Sequence, residues 1–541
     1  MDITVYDGVG EIGGNKILVN GSEGSFLLDF GFNFKRWGDY FEEYLNPRTS
    51  EILNDLLYLE IIPRIDIYRE DLYNPWVRER FSLKKIERPH FVFISHPHVD
   101  HYGMFGLLNK KIPILSSPET VALILAAQEV GKSKDYSSLS GRERRVSVGD
   151  TYIRDGLLKA TSRKNSRFTR DFISLEDGIT ASVFRELSQF EIEQERWPLI
   201  RKGDDLPYDV KVYPVYHSVL GARALVAKVD GWYVVYTGDL RMGPEGEERE
   251  YWEEVLGSER LSYATSTQRF IEDVRELHPM VLITEGTRVT PDQGHSKSTE
   301  KDVYDHSLSV VREYEGKLVI SDFPARHLER LLTFLKIAEA TGRKLVIFPY
   351  DYIFLEMTRI LSRGRWVFNT EALSIYYPSK LSYQKIEKNI MYRIKEGEIK
   401  IFFTYPEDIN KRPGNYILSM GYFDMQNLLD FDPAILREGV YIHSTSEAYT
   451  EEQKIDAIRF LNWLELFGIK TYGIERKEGR PFYSREFHAS GHISSKELSG
   501  LIDTLSPEVV IPIHTEHPLL FKELTERKII FPKRGEPIHI G

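Results

Sequence analysis

The spacing of hydrophobic and polar residues changes along the chain and predicts two kinds of element. Short runs rich in β-branched and aromatic residues are typical of strands. They include the segments KILVNG, SFLLDF, HFVFISH, WYVVYTGD and EVVIPIH. Longer segments with helical periodicity predict helices over residues 118–130, 326–341, 450–467 and 494–505. Ser494, with Glu497 three residues later, is typical of a capping box at the start of the last of these helices.

The order of these elements predicts the fold class. In the middle of the chain strands alternate with helices, which favours a parallel sheet, whereas the first strands follow one another around glycine turns. An α/β protein is therefore expected. A chain of 541 residues is long for one hydrophobic core, so two domains are the default expectation. The charge-rich stretches 34–90 and 131–205 are expected to be insertions or long loops.

Composition narrows the classes of function. The formal net charge of -11 argues against a surface that is basic throughout, although it leaves room for a local basic channel. The chain has no cysteine, so any metal site must be built from His, Asp and Glu. The N-terminal sequence lacks the apolar core of a signal peptide, and no apolar run reaches the roughly 18–20 residues that span a bilayer. A cytoplasmic protein is expected.

One glycine-rich motif mimics a nucleotide-binding fingerprint. Gly8, Gly10 and Gly13 have the spacing G-x-G-x-x-G, and Asp29 follows. The fingerprint requires a helix directly after the glycines, so that the helix N-terminus faces the pyrophosphate. Residues 14–30 instead predict two strands and a turn. Dinucleotide binding is therefore disfavoured.

Potential metal ligands are crowded after the predicted strand HFVFISH. The four are His96, His98, Asp100 and His101. His96 and His98 are two residues apart and share one face of an extended chain, so they can converge on one ion, although a polar loop is the alternative. A catalytic ion needs ligands from several segments and one open position. Further candidates stand at the ends of other strand-like runs: His217, Asp239 and His514.

These motifs resemble a known superfamily. SHPHVDH is similar to the H-x-H-x-D-H signature of metallo-β-lactamase-fold hydrolases, and YHS, YTGDL and FLLDFG resemble its other ligand motifs. GVGEIGGN followed by FLLDFG resembles the N-terminus of ribonuclease J. LITEGTR, FHASGHISSKEL and IPIHTEH resemble motifs A, B and C of the β-CASP nucleases, with Glu285, His492 and His514 as their central residues. The ordered series is more specific than any one motif.

The resemblance implies a metallo-β-lactamase αββα sandwich with an inserted β-CASP α/β domain. Residues 1–243 would form the first part of the sandwich, residues 244–485 the β-CASP domain, and residues 486–541 the C-terminal part of the sandwich. Because the chain ends soon after GEPIHIG, the expected relative is of the archaeal type, without the extra C-terminal domain.

The resemblance also implies the cofactor and the ligands. Two zinc ions per chain are expected, with manganese as the alternative. One ion would be held by His96, His98 and His217, and the other by Asp100, His101 and His514, with Asp239 between them. Catalytic roles are implied for Asp29, Asp100, Glu285 and His492.

Four residues are candidates for contacts with the substrate. The resemblance points to His488, Ser490, Arg288 and Arg326, although Ser490 is as well explained by a turn hydroxyl. Bacterial ribonuclease J has Ser-Asn where this chain has PARH around Arg326. A basic stretch that carries Arg163, Lys164, Arg167 and Arg170 around Phe168 could contact RNA, but such runs are more often solvated loops.

The expected function is hydrolysis of RNA phosphodiester bonds, by 5′-3′ exonuclease action, by endonuclease action or by both. Single-stranded RNA is the expected partner, and a homodimer is compatible with the resemblance. His514, rather than valine, tends in this family to accompany RNA substrates. The alternative is a β-CASP DNA nuclease that acts on single-stranded DNA in repair. A small-molecule hydrolase would need no insertion, and an inactive scaffold subunit would have lost ligands that this chain retains.

Overall fold

A computed structural model describes the protein over most of its length. The described residues are 1–42, 44–130, 135–142, 144–146, 158–160, 167–175, 200–202, 206–256, 258–291, 298–324, 326–361, 366, 369–378, 383 and 385–541. They form a mixed α/β fold with three large sheets, which confirms the predicted fold class at that level. No helix among them is long and apolar enough to cross a membrane.

The first sheet has eight strands. From one edge to the other they are Ile200–Lys202, Phe172–Ser174, Ile114–Leu115, Val92–Phe93, Gly24–Phe30, Lys16–Gly21, Asp2–Asp7 and Pro537–His539. The strands that precede Gly24–Phe30 in this spatial order run parallel to it, while the last three are antiparallel to their neighbours. Strand therefore follows strand at the start of the chain, as predicted.

The second sheet has five strands. In spatial order they are Asp209–Pro214, Arg223–Val229, Trp232–Tyr236, Met280–Glu285 and Val509–Ile513. The first three pair in antiparallel fashion, and the last three run parallel. Alternate residues of both sheets, such as Val19, Phe26, Ala227 and Ile283, share one buried apolar cluster, so the two sheets pack face to face.

Helices cover the outer faces of this pair of sheets. Residues of the second sheet such as Val226 and Leu282 pack against Phe270 of one helix and Leu501 of another. The outer face of the first sheet packs against residues such as Leu56 and Leu123. The layers therefore run helix, sheet, sheet, helix, and their assignment to the metallo-β-lactamase sandwich stays a prediction.

The third sheet has seven strands, all parallel. In spatial order they are Phe402–Thr404, Leu373–Tyr376, Lys344–Ile347, Tyr416–Ser419, Val319–Asp322, Val440–His443 and Lys470–Tyr472. Strands and helices alternate through this region, as the sequence predicts. The strand Met280–Glu285 lies before them and pairs with the second sheet. The division at residues 243 and 485 stays a prediction.

The helices complete the core. The α-helices are Phe34–Gly38, Ile52–Tyr58, Pro75–Arg80, Val99–Tyr102, Pro118–Glu129, Gly246–Leu256, Ser258–Ala264, Ser266–Val274, Glu300–Glu313, Leu328–Ala340, Pro349–Leu361, Lys385–Lys395, Pro406–Lys411, Pro433–Glu438, Glu451–Phe467, Ser495–Leu505 and Phe521–Leu524. The capping box predicted at Ser494 and Glu497 is present.

One prediction about irregular stretches needs correction. Residues 34–90 are not simply loops, because they contain three short helices, and Leu53 and Leu56 of the second are buried in the core. Most of residues 131–205 lie outside the described residues. His101 lies on a single helical turn, Val99–Tyr102, which also carries Asp100.

Candidate metal centre

The site lies where chain segments leave the strands of the two facing sheets. Val92–Phe93 leads into His96 and into the short helix that carries Asp100 and His101. Asp239 follows the strand Trp232–Tyr236, and His514 follows Val509–Ile513. Strand ends fix the backbone from which such side chains project, and the polar residues at these ends meet at one edge of the sheet pair.

Three imidazoles converge at one side of the site. The Nε2 atom of His96 lies 3.0 Å from Nδ1 of His98, and Nε2 of His217 lies 3.3 Å from the same Nδ1. Two nitrogens that share a tetrahedral zinc ion are about 3.3 Å apart. The donor set and its spacing therefore fit a divalent cation.

A second group of three forms beside it. His514 Nε2 lies 3.1 Å from Asp100 Oδ2, and His101 Nε2 lies 3.7 Å from the same oxygen. Ligand atoms of Asp100, His101 and His514 all lie within 4.8 Å of one another. This group also fits a cation, with one carboxylate and two imidazoles.

Asp239 connects the two groups. Its Oδ2 lies 3.1 Å from His101 Nε2 and 3.7 Å from His96 Nε2. Its Oδ1 is buried and has no hydrogen-bond partner among the described residues. A buried carboxylate oxygen without a partner is costly unless a cation neutralises it. The described residues therefore contain His, Asp and Glu groups that can hold metal ions.

The ring nitrogens that do not face the site are held by other groups. His217 Nδ1 donates to the carbonyl oxygen of Gly491 at 2.7 Å, which leaves its Nε2 for the site. His101 Nδ1 donates to Asp29 Oδ2 at 2.7 Å. His514 Nδ1 lies 2.9 Å from the hydroxyl of Thr287. Such outer partners fix the tautomer and the orientation of a ligand imidazole.

Burial sets the charge of the imidazoles. It lowers the pKa of His98 to about 4, and with neighbouring imidazoles it lowers the pKa values of His96 and His217 well below the usual range. These rings are neutral at pH 7, with lone pairs ready for a cation. Burial opposes a charge on His101 as well, but the carboxylates around it, above all Asp239, raise its pKa. A cation bound beside His101 therefore competes with a proton.

Asp29 lies at the end of the strand Gly24–Phe30, in a left-handed conformation with φ of 54°. Its carboxylate accepts hydrogen bonds from the backbone and hydroxyl of Ser95, from the Tyr236 hydroxyl and from His101. The carboxylate orients these neighbouring groups and does not face an open space. Its predicted catalytic role stays a prediction, but its position suits a residue that orients His101.

Glu285 and His492 meet at the edge of the site. Glu285 Oε2 lies 2.8 Å from His492 Nδ1, and Glu285 Oε1 accepts the backbone N–H of Leu240. His492 Nδ1 lies 3.7 Å from Asp239. Burial acts against the charged imidazole, but Glu285 outweighs it and raises the pKa of His492 to about 9. His492 is therefore a cation at neutral pH and is partly exposed.

The other predicted substrate residues lie around this pair. Arg288 donates to the carbonyl oxygen of His492 at 3.4 Å. The Ser490 hydroxyl accepts the backbone N–H of His492, as expected of a turn hydroxyl. Burial, followed by Arg330, lowers the pKa of His488. Arg326 lies 5.2 Å above the Phe354 ring. None of these contacts tests a role in substrate binding.

The suggestion that Arg170 and Phe168 contact RNA is wrong. Both side chains are buried, and Arg170 donates to the carbonyl oxygens of Gly106, Leu108 and Asn109. The fully buried guanidinium thus satisfies backbone groups of a neighbouring loop. Arg163 and Lys164 lie outside the described residues, as does the environment of Arg167.

The glycines of the discarded fingerprint have a different role. The strand Lys16–Gly21 follows them, so no helix stands where a dinucleotide would need one. Gly8, Gly10 and Gly13 all have positive φ. A Cβ on Gly13 would come within 2.9 Å of the Asp100 side chain, and Gly14 donates to the Asp100 carbonyl oxygen. The loop packs against Asp100, which sequence reasoning missed because the contact joins distant segments.

A further acidic group was not predicted from the sequence. Ligand atoms of Glu300, His327 and Glu329 lie within 4.8 Å of one another. Arg330 pairs with both carboxylate oxygens of Glu300, and Arg241 pairs with Glu329. The two guanidinium groups already neutralise the two carboxylates, so this cluster is a buried ion-pair network.

Comparisons with known proteins give a distant relationship. No family model matches the chain. It is 18% identical over 521 residues to ribonuclease J of Mycoplasma pneumoniae, covering 96% of this chain and 68% of that protein. It is 21% identical over 458 residues to ribonuclease J of Pyrococcus abyssi, covering 81% and 77%. Against ribonuclease J of Helicobacter pylori it is 20% identical over 557 residues, and the match covers 60% of that protein.

Among solved structures that share the fold is one of a bacterial protein. A protein of unknown function from Enterococcus faecalis has a TM-score of 0.62 and 20% sequence identity, with 99% of both chains covered. This likeness shows the fold and not the activity. The sequence likenesses support a distant relationship to ribonuclease J.

Proposed function

We propose that this chain is a zinc-dependent ribonuclease of the ribonuclease J-like β-CASP group, which hydrolyses phosphodiester bonds of single-stranded RNA. The observation that carries the proposal is the position of His492, held by Glu285, 3.7 Å from the Asp239 carboxylate that connects the two ligand groups. A proton donor at His492 would thus lie beside the proposed hydrolytic centre. The distant ribonuclease J relatives favour RNA over other substrates.

The residues that would hold the ions follow from the two groups. His96, His98 and His217 would hold one ion, and Asp100, His101 and His514 the other, with Asp239 shared. Imidazole and carboxylate ligands suit zinc, and manganese is the alternative. Two such cations would supply a water that is activated at neutral pH, together with positive charge for a phosphate.

His492 would act on the substrate itself. As an imidazolium it can donate through Nε2 to a phosphate oxygen or to the departing sugar oxygen, while Nδ1–H remains bound to Glu285. Glu285 keeps the ring oriented and charged, and its second oxygen holds the backbone N–H of Leu240, next to Asp239. The Glu285 carboxylate would therefore fix the position of His492 relative to the segment that carries Asp239 and Leu240.

The proposal extends to the domain plan. The two facing sheets, built from residues before 243, the strand Met280–Glu285 and residues after 485, would be the metallo-β-lactamase sandwich. The seven-stranded sheet, whose strands all come from residues 319–472, would be the core of the inserted β-CASP domain. Its helix Leu328–Ala340 contacts Arg241, two residues after Asp239, through Glu329.

The test combines metal analysis with RNA digestion. Elemental analysis of protein prepared without chelator is expected to find about two zinc ions per chain. RNA labelled at either end, with a 5′-monophosphate or a 5′-triphosphate, is expected to be cut, and the product lengths distinguish exonuclease from endonuclease action. A single-stranded DNA of the same sequence is the matched substrate.

Asp100→Ala and His101→Ala serve as inactive controls. Each is expected to abolish cleavage while the far-ultraviolet circular dichroism spectrum is retained. Protein without bound metal, or cleavage that persists in both variants, would overturn the proposal. Faster cleavage of DNA than of RNA would replace it with the DNA-nuclease alternative.

A further inference from the structure

A buried arginine joins the segments that carry the site residues. Arg241 stands two residues after Asp239, and only 5% of its surface is exposed. Its backbone N–H donates to the carbonyl oxygen of Tyr216 at 2.8 Å, and its guanidinium lies 4.1 Å from the centre of the Tyr216 ring and donates to the hydroxyl of that ring. Tyr216 directly precedes His217, so Arg241 holds the His217 segment against the Asp239 segment.

The same guanidinium reaches the segment that carries His492. Its Nη1 donates to the carbonyl oxygen of Ser490 at 3.1 Å. The Ser490 hydroxyl in turn accepts the backbone N–H of His492, and His217 Nδ1 donates to the carbonyl oxygen of Gly491. Three segments that are far apart in sequence therefore meet at one side chain.

A fourth contact leads to the third sheet. Arg241 Nη2 donates to a carboxylate oxygen of Glu329, and both side chains are buried. Glu329 belongs to the helix Leu328–Ala340, which packs beside the strand Lys344–Ile347 of that sheet. Burial opposes the charge of Arg241, but Glu329 outweighs it and raises the arginine pKa. The pair is therefore an ion pair between the helix and the site.

We infer that Arg241 is a positioning residue, which sets the placement of His217, Asp239 and His492 relative to one another and ties that placement to the helix at Glu329. The inference rests on the proposed function and adds to it a residue that touches neither substrate nor ion. A guanidinium presents donors in a fixed plane, so it can hold a tyrosine hydroxyl, a carbonyl oxygen and a carboxylate at once. A lysine in its place has no such fork.

The alternative is that Arg241 and Glu329 only stabilise the fold. A double replacement separates the two roles. Arg241→Met leaves the buried Glu329 carboxylate without its guanidinium partner, so the melting temperature is expected to fall. Adding Glu329→Gln removes that unpaired charge, and most of the melting temperature is expected to return. Both variants lack the hydrogen bonds from the Arg241 guanidinium to Tyr216 and Ser490.

Activity is expected to depend on the contacts of Arg241 with Tyr216 and Ser490 and not on the stability of the protein. In both Arg241→Met and the double variant, kcat is expected to be about 10²-fold lower with KM unchanged, since a misplaced catalytic group has about this effect. Glu329→Gln alone keeps the arginine contacts to Tyr216 and Ser490, so a smaller loss is expected. Recovery of kcat together with stability in the double variant would overturn the inference.

Hydrogen exchange gives a readout that does not depend on activity. Peptides that cover residues 214–219 and 488–494 are expected to exchange faster in Arg241→Met than in the wild type. Arg343 supplies a matched control, because it is equally buried and donates to the carbonyl oxygens of Lys317 and Tyr314, close to the first residues of the strands Val319–Asp322 and Lys344–Ile347. Arg343→Met is expected to lower stability without faster exchange in those two peptides.

The outcomes separate the two proposals. Unchanged exchange at residues 488–494 in Arg241→Met would overturn the positioning role, whatever the activity. A wild-type protein that cuts no RNA would overturn the proposed function, and the exchange experiment would still decide whether Arg241 anchors the two segments.

Discussion

Replacing the carboxylate beside His492 isolates the origin of its charge. Glu285 Oε2 lies 2.8 Å from His492 Nδ1 and is the main cause that raises the pKa of His492 to about 9 against the effect of burial. In Glu285→Gln the amide keeps the size of the side chain and an oxygen for the N–H of Leu240, but it has no charge. The pKa of His492 is expected to fall to its usual value near 6.5 or below.

The size of the effect depends on pH. With a pKa of about 9, roughly 90% of His492 is protonated at pH 8, whereas a pKa of about 6.5 leaves roughly 3%. If the imidazolium is the reacting form, kcat/KM is expected to fall about 30-fold at pH 8 but less than about twofold at pH 6. The alkaline limb of the pH profile is expected to move to lower pH by about 2.5 pH units. This shift corresponds to about 3 kcal/mol in the free energy of protonation of His492.

The assay is the pH dependence of kcat/KM on a labelled RNA, measured for wild type and Glu285→Gln with metal content checked at each pH. Glu508→Gln is the matched control, because Glu508 pairs with His278 at 3.3 Å near the opposite end of the strand Met280–Glu285. An alkaline limb that stays in place in Glu285→Gln, or that moves equally in Glu508→Gln, would refute the assignment of His492 and Glu285.

Two further predictions concern the backbone beside the site and a carboxyl in the third sheet. A Cβ on Gly31 would lie 1.6 Å from the carbonyl oxygen of Asp100, so Gly31→Ala is expected to lower the metal content and to destabilise the fold by roughly 1–3 kcal/mol. A Cβ on Gly500, which lies in the helix Ser495–Leu505, would meet no atom of the described residues within 4 Å outside its own helix backbone, so Gly500→Ala is expected to raise the free energy of unfolding by about 0.5–1 kcal/mol. Thermal unfolding and elemental analysis compare the two variants. Burial, with a contribution from Asp424, raises the pKa of Asp322 to about 7, above its value in the unfolded chain, so its contribution to stability is present at low pH and is lost as pH rises through 7. Between pH 5 and pH 8 the unfolding free energy of the wild type is expected to fall by about 2.5 kcal/mol more than that of Asp322→Asn. Urea unfolding of both proteins at the two pH values measures this, and an equal change in the two proteins would contradict the prediction.

Local signals account for most of what the sequence predicted. The helix that begins after Ser494 and the strand that precedes His96 depend on capping and on apolar periodicity, which short windows of sequence contain. Potential ligands at the ends of strand-like runs meet because strand ends lie at one edge of a sheet. His96, Asp239 and His514 follow this rule.

The supporting contacts could not be predicted in this way. Asp29 accepts a hydrogen bond from the hydroxyl of Tyr236, and Arg241 donates hydrogen bonds to both Tyr216 and Ser490. Each contact links segments that only the tertiary fold brings together. Arg170 shows the opposite error. A basic residue in a charged stretch is typical of solvated loops or nucleic-acid contacts, but here it is buried because neighbouring carbonyl oxygens need donors.

The backbone at the site is held in conformations that the side chains do not favour. Asp29 and His514 both have φ near 50°, in the left-handed region that non-glycine residues rarely adopt. Each is held there by neighbours, since His514 donates its N–H to the carbonyl oxygen of Gly8, and Asp29 accepts four hydrogen bonds. Strained residues persist only where the surroundings determine them. The glycine loop, the hydrogen bonds of Asp29 and the contacts of Arg241 thus all hold the same site. The positions of the candidate ligands therefore depend on residues that are not ligands themselves.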